Sequence, residues 1–251
     1  MSTSSLLERA KRAFWKAGNK LKYRLARHSF EALDHRGLVN EVRKRKLTYL
    51  SKWALFQIIR SLRELDDKKV EGIIIEAGCA LGGSLVVIAG YSGQRAIREY
   101  DTFEMIPAPT ADDPAEVHER YETIVSGQSK GIGGETYYGY RGDLLDFVKG
   151  SVEQVLGPET LERVAFHKGL LQDRMVIDGK VAFAHIDVDW YDPVCFCLEH
   201  IWPALSVGGI MILDDYYHWG GCRKAVDAYF AGRTDYRFDG RAGTLKVTKT
   251  R

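Results

Sequence analysis

The chain has no run of about eighteen apolar residues, so no segment is long enough to cross a bilayer as a helix. Its opening, MSTSSLLERAKRAFWKAG, lacks an apolar core followed by a cleavage site, which speaks against a secretory signal. Cysteines are few: Cys79, Cys195, Cys197 and Cys222 form no CxxC pair, and three sit in or beside apolar runs. They read as reduced packing thiols of a cytoplasmic protein rather than a disulfide framework. There is no internal repeat and no low-complexity tract. Acids are scarce in one region. Residues 1–53 carry 14 Lys and Arg against 4 Asp and Glu, while the remainder carries 22 against 30. The formal net charge of +2 therefore hides a basic N-terminal arm and an acidic body.

The 251 residues suit one large domain with an appendage. In the arm, Leu7, Ala10, Phe14, Ala17 and Leu21 recur at helical spacing, with Lys11, Arg12, Lys16 and Lys20 elsewhere on the wheel. Such a helix packs its stripe on the body or on a second subunit, acting as an arm or lid. The alternative is surface binding to an anionic membrane or a nucleic acid. A further helical stretch, LTYLSKWALFQIIRSLREL, leads into a body taken as residues 54–251. There GIIIEAG (72–78), IREYDTF (97–103), VAFHKG (164–169), KVAFAHID (180–187) and GGIMILDD (208–215) read as strands. CFCLEHIWPAL and CRKAVDAYFAG read as helices between or after them. Alternation with continuous apolar strands predicts a parallel sheet covered on both faces. DYRFDG and GTLKVTKT predict a final hairpin with an antiparallel edge strand. Residues 105–142 break this rhythm. They predict a helix at about 113–124 and a substrate-side loop carrying Tyr137, Tyr138 and Tyr140.

Three constellations carry chemistry. EAGCALGGSLVVIAG (76–90) has the strand–glycine turn–helix form that holds a nucleotide-like cofactor at a helix N-terminus. It is neither the dinucleotide fingerprint, since Ala80 stands where the second glycine is needed, nor a P-loop. Glu76 at the strand end would repel a pyrophosphate and suits a cationic ligand such as S-adenosylmethionine; a plain tight turn is the alternative. Asp101, 25 residues later at the end of the second strand, is placed to take both ribose hydroxyls. HIDVDWYD and MILDDYYHWGG then put Asp187, Asp214 and Asp215 at the carboxyl edge of one sheet. Carboxylates converging there without a neighbouring Lys or Arg repel one another, and a hard divalent cation relieves the repulsion. Asp189 shares a direction with Asp187 if the segment is extended.

Together, EAGCALGGS, the later Asp101, HIDVDWY and ILDDY resemble the macrocin O-methyltransferase family over roughly residues 45–245. The family's enzymes use S-adenosylmethionine and a metal to methylate sugar hydroxyls of natural products. The resemblance implies an α/β, Rossmann-like class I methyltransferase fold. Its sheet has seven strands, mostly parallel with an antiparallel last strand, as in catechol O-methyltransferase. It implies that Glu76, Gly78, Gly82 and Ser84 line the methionine end of the cofactor and that Asp101 holds the ribose. KGLLQD places Leu171 and Gln172 at the adenine, and Asp187 belongs to the cofactor set as well as to the metal set. Asp187, Asp214 and Asp215 match the metal ligands, with Mg2+ the expected ion, and Asp189 matches the general base. Catechol enzymes carry a lysine base one residue later, where this chain has Trp190, which favours a sugar acceptor. The expected partners are a sugar or glycoside and further copies of the chain, without nucleic acid or stable membrane insertion. Two rivals stand beside this reading. One is a glycosyltransferase using Asp187 and Asp189 as a metal-binding DxD; the other is a non-enzymatic binder acting through the basic arm.

Overall fold

The computed structural model describes residues 32–241 and 243–251. The stripe at residues 7–21 lies outside them. The expected strands form one seven-stranded sheet: β1 (Ile73–Ala77), β2 (Ile97–Asp101), β3 (Val164–Lys168), β4 (Val181–Ile186), β5 (Leu205–Leu213), β6 (Tyr236–Arg241) and β7 (Thr244–Lys249). Their order is β3-β2-β1-β4-β5-β7-β6. β1 pairs in parallel with both β2 and β4, so the chain winds outward in two directions from β1. That reversal opens a crevice at the carboxyl ends of the strands.

The C-terminal hairpin forms, but its antiparallel strand is not the edge. β7 runs antiparallel between β5 and β6, and β6 is outermost. Burial explains the exchange. β7 is buried through residues 244–248, whereas β6 exposes Arg237 and Phe238, and a polar, irregularly apolar strand is better tolerated at an edge.

Eight α-helices are described: α1 (Leu38–Lys44), α2 (Lys52–Asp67), α3 (Gly83–Tyr91), α4 (Ala115–Val125), α5 (Leu144–Leu156), α6 (Leu171–Arg174), α7 (Tyr191–Ala204) and α8 (Gly220–Phe230). Side chains alternate along each strand, and the two faces build separate cores. Ile74, Phe183, Ile210 and Ile212 pack with α1, α2, α3 and α5. Ile75, Ala77, Ala184, Met211 and Leu213 pack with α7 and α8. α2 starts where Ser51 accepts a hydrogen bond from the Ala54 N–H at 3.1 Å. Its Leu55, Ile58, Ile59, Leu62 and Leu65 are almost wholly buried, each contributing about 1.5–3 kcal/mol of transfer free energy.

The charge-based division at residue 53 falls inside α2. Leu38, Val39, Val42, Leu47 and Leu50 lie in the body's core, so positive charge and packing unit do not share a border. Asp34 fixes the start of α1: its carboxylate accepts from the N–H of Leu38 and Val39 and from the Tyr91 hydroxyl. All four cysteines are free. Among the described residues, no helix is long and apolar enough to cross a membrane.

Candidate active site

The four central strand ends, of β2, β1, β4 and β5, are laced together by backbone. The Gly78 N–H donates to the Tyr100 carbonyl, Asp187 N–H to the Ala77 carbonyl, and Asp214 N–H to the Ile186 carbonyl. Gly78 has φ +85°, and a Cβ there would lie 2.0 Å from the Asp187 carbonyl oxygen. Only glycine fits both the dihedral and the space. Asp101 braces the same turn: one carboxylate oxygen accepts from Cys79 N–H (2.9 Å) and Ala80 N–H (3.2 Å), the other from Phe103 N–H (2.7 Å). Ala80, Phe103 and Asp189, which follow β1, β2 and β4, all have positive φ. Non-glycine residues held there concentrate backbone strain at this edge.

Two cavities adjoin over it. One, of about 330 Å³, is lined by Gly78, Asp101, Gly169, Leu171, Gln172 and Asp187, with Pro107, Ala108 and Thr110 of the insertion. The other, of about 230 Å³, is lined by Asp187, Asp189, Asp214 and Asp215 facing Tyr49, Tyr137, Tyr138, Trp190, Trp219 and Arg120. Gly78, Asp101, Ile106, Tyr138, Asp187, Asp189 and Trp190 belong to both.

The carboxylates of Asp187, Asp189, Asp214 and Asp215 converge on the second cavity, and ligand atoms of Asp214, Asp215 and the exposed His218 lie within 4.8 Å of one another. Burial pushes the pKa of Asp187, Asp214 and Asp215 well up, and the neighbouring aspartates push it further. Asp214 Oδ1 is buried and takes no hydrogen bond. A set of hard, mutually repelling oxygens with an unused buried lone pair fits a divalent cation. Burial raises Asp189 to about 6, against a hydrogen bond from Trp219 and the charge of Arg120. Arg120, from α4, is a cation that local sequence did not place near the cluster.

Of the cofactor residues, Gly78, Asp101, Leu171, Gln172 and Asp187 line the first cavity. Glu76, Gly82 and Ser84 line neither cavity. Glu76 points into the sheet face beneath α3, wholly buried, in register between Glu99 and His185. Its Oε1 lies 3.1 Å from His185 Nδ1. Burial, then Glu76, pushes Glu99 up. Gly82, at φ +83°, lets α3 approach Val148 of α5, and Ser84 is buried in the first turn of α3. Sequence reasoning missed Trp219, which donates to Asp189, and Tyr49 and Leu50, which close the second cavity from before α2. The HWGG stretch after the second carboxylate pair was the one local signal for Trp219.

The fold finds parallels in known proteins. The solved structure of the O-methyltransferase NovP superposes with a TM-score of 0.68 at 21% identity, covering 82% of this chain and 83% of that one. CalS11, a calicheamicin methyltransferase, superposes at 0.57 and 19%, covering 85% and 84%. The fold is thus that of the class I, Rossmann-like O-methyltransferases. More narrowly, residues 159–234, from before β3 to the end of α8, match the family model described as macrocin-O-methyltransferase (TylF). The demethyldecarbamoylnovobiocin O-methyltransferase of Streptomyces niveus is 27% identical over 191 residues, 70% of this chain and 65% of that protein. The mycinamicin III 3''-O-methyltransferase of Micromonospora griseorubida is 27% identical over 172 residues, 64% and 61%. The matches therefore span just under two thirds of these relatives' lengths. The motif resemblance to this family is matched by both kinds of comparison.

Proposed function

We propose that the protein transfers a methyl group from S-adenosylmethionine to a hydroxyl of a sugar or glycoside, aided by a divalent cation, most simply Mg2+. The observation that carries this is the meeting of the two cavities at Asp187 and Asp189. On one side stand a glycine turn, an acid at the end of β2 and the Leu171–Gln172 turn; on the other, four carboxylates under an aromatic wall. The relatives named for glycosylated natural products support the acceptor class.

When bound, S-adenosylmethionine supplies an electrophilic methyl group, and the cation supplies a Lewis acid beside the acceptor oxygen. Asp187, Asp214 and Asp215 would hold the cation. Asp101 would hold the ribose with the lone pairs left by its backbone contacts, and Leu171 and Gln172 would flank the adenine. Asp189 would receive the hydroxyl proton, and S-adenosylmethionine, when bound, would supply the methyl group to that oxygen and keep the carbon–sulfur electron pair as a neutral thioether. A carboxylate near pKa 6 is a stronger base than an ordinary one near ~3.9. A glycosyltransferase DxD reading leaves the glycine turn and Asp214–Asp215 without a role. The free buried thiols fit a cytoplasmic setting, and the basic arm fits a homo-oligomer, which light scattering after deletion of residues 1–30 would test.

The test is S-adenosylhomocysteine release on a panel of demethylated natural-product glycosides and free deoxyhexosides. EDTA should abolish release, and Mg2+ or Mn2+ should restore it. Full activity in protein shown to be metal-free would remove the cation. Calorimetric binding of NAD but not of S-adenosylhomocysteine would remove the cofactor.

A further inference from the structure

We propose that Trp219 is a positioning residue for Asp189, its indole N–H fixing which carboxylate oxygen takes the acceptor proton. This rests on the methyl-transfer reading above. Trp219 Nε1 donates to Asp189 Oδ1 at 2.8 Å. The Asp189 backbone N–H donates to Asp215 Oδ2 at 3.0 Å, and the residue sits at φ +58°. Its main chain and one carboxylate oxygen are therefore each held by a hydrogen bond, and Oδ2 takes none among the described residues. A carboxylate free to turn about its last torsion would offer either oxygen. Anchoring Oδ1 leaves Oδ2 to receive the proton.

The indole is itself held in place. Its ring meets Trp190 edge-on with centroids 5.7 Å apart, and the Trp190 indole N–H donates to the Pro107 carbonyl at 2.9 Å. The Trp219 backbone N–H donates to the Asp215 carbonyl at 2.9 Å, tying the start of α8 to the main chain of a cluster residue. Two residues on, a Cβ at Gly221 would lie 2.1 Å from Asp113 Oδ1. That same oxygen accepts from the Tyr191 N–H at 2.8 Å at the start of α7. Asp113 of the insertion is thus bonded to the start of α7 and lies close against the first turn of α8, next to the indole-bearing residue. A side chain needed only for packing would not have to line the cavity or spend its one donor on a carboxylate, and Trp219 does both.

The experiment is a double-mutant cycle with Trp219→Phe, which keeps ring area and removes the donor, and Asp189→Asn. Turnover is read as S-adenosylhomocysteine release with the acceptor panel, beginning with demethyldecarbamoylnovobiocin. Trp219→Phe should lower kcat by on the order of ten- to a hundredfold, the scale of a misplaced catalytic group. Mn2+ affinity and S-adenosylhomocysteine affinity should stay within about threefold, since neither ligand touches the donor. In the Asp189→Asn background the same change should cost less than about threefold, because its effect passes through Asp189. Equal losses in both backgrounds, or lost metal or cofactor binding in folded Trp219→Phe, would overturn the role while leaving the function intact. If Trp219→Phe does not fold, Trp219→His carries the test with its ring N–H. A kcat as low as that of Asp189→Asn would then count against the role. A wild type that methylates no acceptor in the panel overturns the function itself, and this role with it.

Discussion

The two cavities share seven lining residues but are built from different material. The larger is made by backbone: a positive-φ glycine turn, four laced strand ends, and an aspartate spending its lone pairs on backbone N–H groups. The smaller is made by side chains brought from far apart in the chain, with Tyr49 before α2, Arg120 and Tyr137 from the insertion, and Trp219 before α8. A backbone-made site tolerates little change in shape and suits a ligand of constant form. A site made by loop side chains can be retuned by substitution, as an acceptor pocket requires. Damage to the two should therefore separate in what it alters.

The largest separation is expected at Asp189. Asp189→Asn is nearly isosteric and can still accept from Trp219, so S-adenosylhomocysteine and Mn2+ should bind within about threefold of wild type. Turnover should fall by roughly 10²–10⁴, the usual share of a general base. Loss of the metal in Asp189→Asn with retention in Asp187→Asn would show the two roles to be exchanged. Next comes Gly78→Ala, which drives a Cβ into the Asp187 carbonyl at a left-handed dihedral. It should destabilise the fold by on the order of 3 kcal/mol and abolish measurable cofactor binding. A thermal midpoint within 2 °C of wild type (roughly under 1 kcal/mol for a domain of this size) would mean that the edge yields more easily than its lacing suggests.

Much of the first cavity could be read directly from sequence, because its signals are local. An apolar run ending in glycine marks a strand end, and acids after such runs fall on one edge of a parallel sheet. The second cavity was half legible. Its carboxylates follow strands, and Trp219 comes four residues after Asp215, but Arg120 and Tyr49 reach it from distant segments with no periodicity to announce them. Glu76 stands beside the turn in sequence, yet it shares the parity of Ile74, and its buried side chain lines neither cavity. Asp187 and Asp189 were expected to align through extended backbone. They reach one cavity although β4 ends at Ile186 and Asp189 is left-handed. Positive charge runs on into residues whose apolar neighbours, from Leu38 to Leu50, are core, so charge does not mark the limit of the packing unit.

A smaller effect sharpens the contrast from the cofactor side. Asp101→Ala removes the ribose partner and three backbone braces together. S-adenosylhomocysteine affinity should weaken by roughly 1.5–3 kcal/mol, about ten- to a hundredfold or more. Mn2+ affinity measured without cofactor should change by less than about threefold, because Asp101 lies outside the carboxylate cluster. Equal losses for both ligands would mean that the two sites form a single cooperative unit.

The smallest effect is expected away from both cavities, where α2 meets β7. Glu64 accepts from the buried Lys246 ammonium and, at 2.7 Å, from Lys68. Burial alone would raise the Glu64 carboxyl, but hydrogen bonds from the two lysines and their charges hold it down to about 2. Its folded pKa thus lies below the unfolded value near ~4.5, and between the two the unfolded chain binds more protons. The stabilisation is complete above pH ~4.5 and is lost as pH falls through 2. It can reach about 3 kcal/mol at most on the pKa difference alone. Burial pushes the Lys246 ammonium down, so part of that gain is returned, leaving about 1–2 kcal/mol net. Urea midpoints of wild type and Glu64→Gln, compared from pH 6 to pH 2, should start apart and converge, while S-adenosylhomocysteine affinity at neutral pH stays unchanged. A gap of constant size across that range would mean that Glu64 contributes packing rather than charge. A change in cofactor affinity would mean that the α2 face and the glycine edge are not energetically separate.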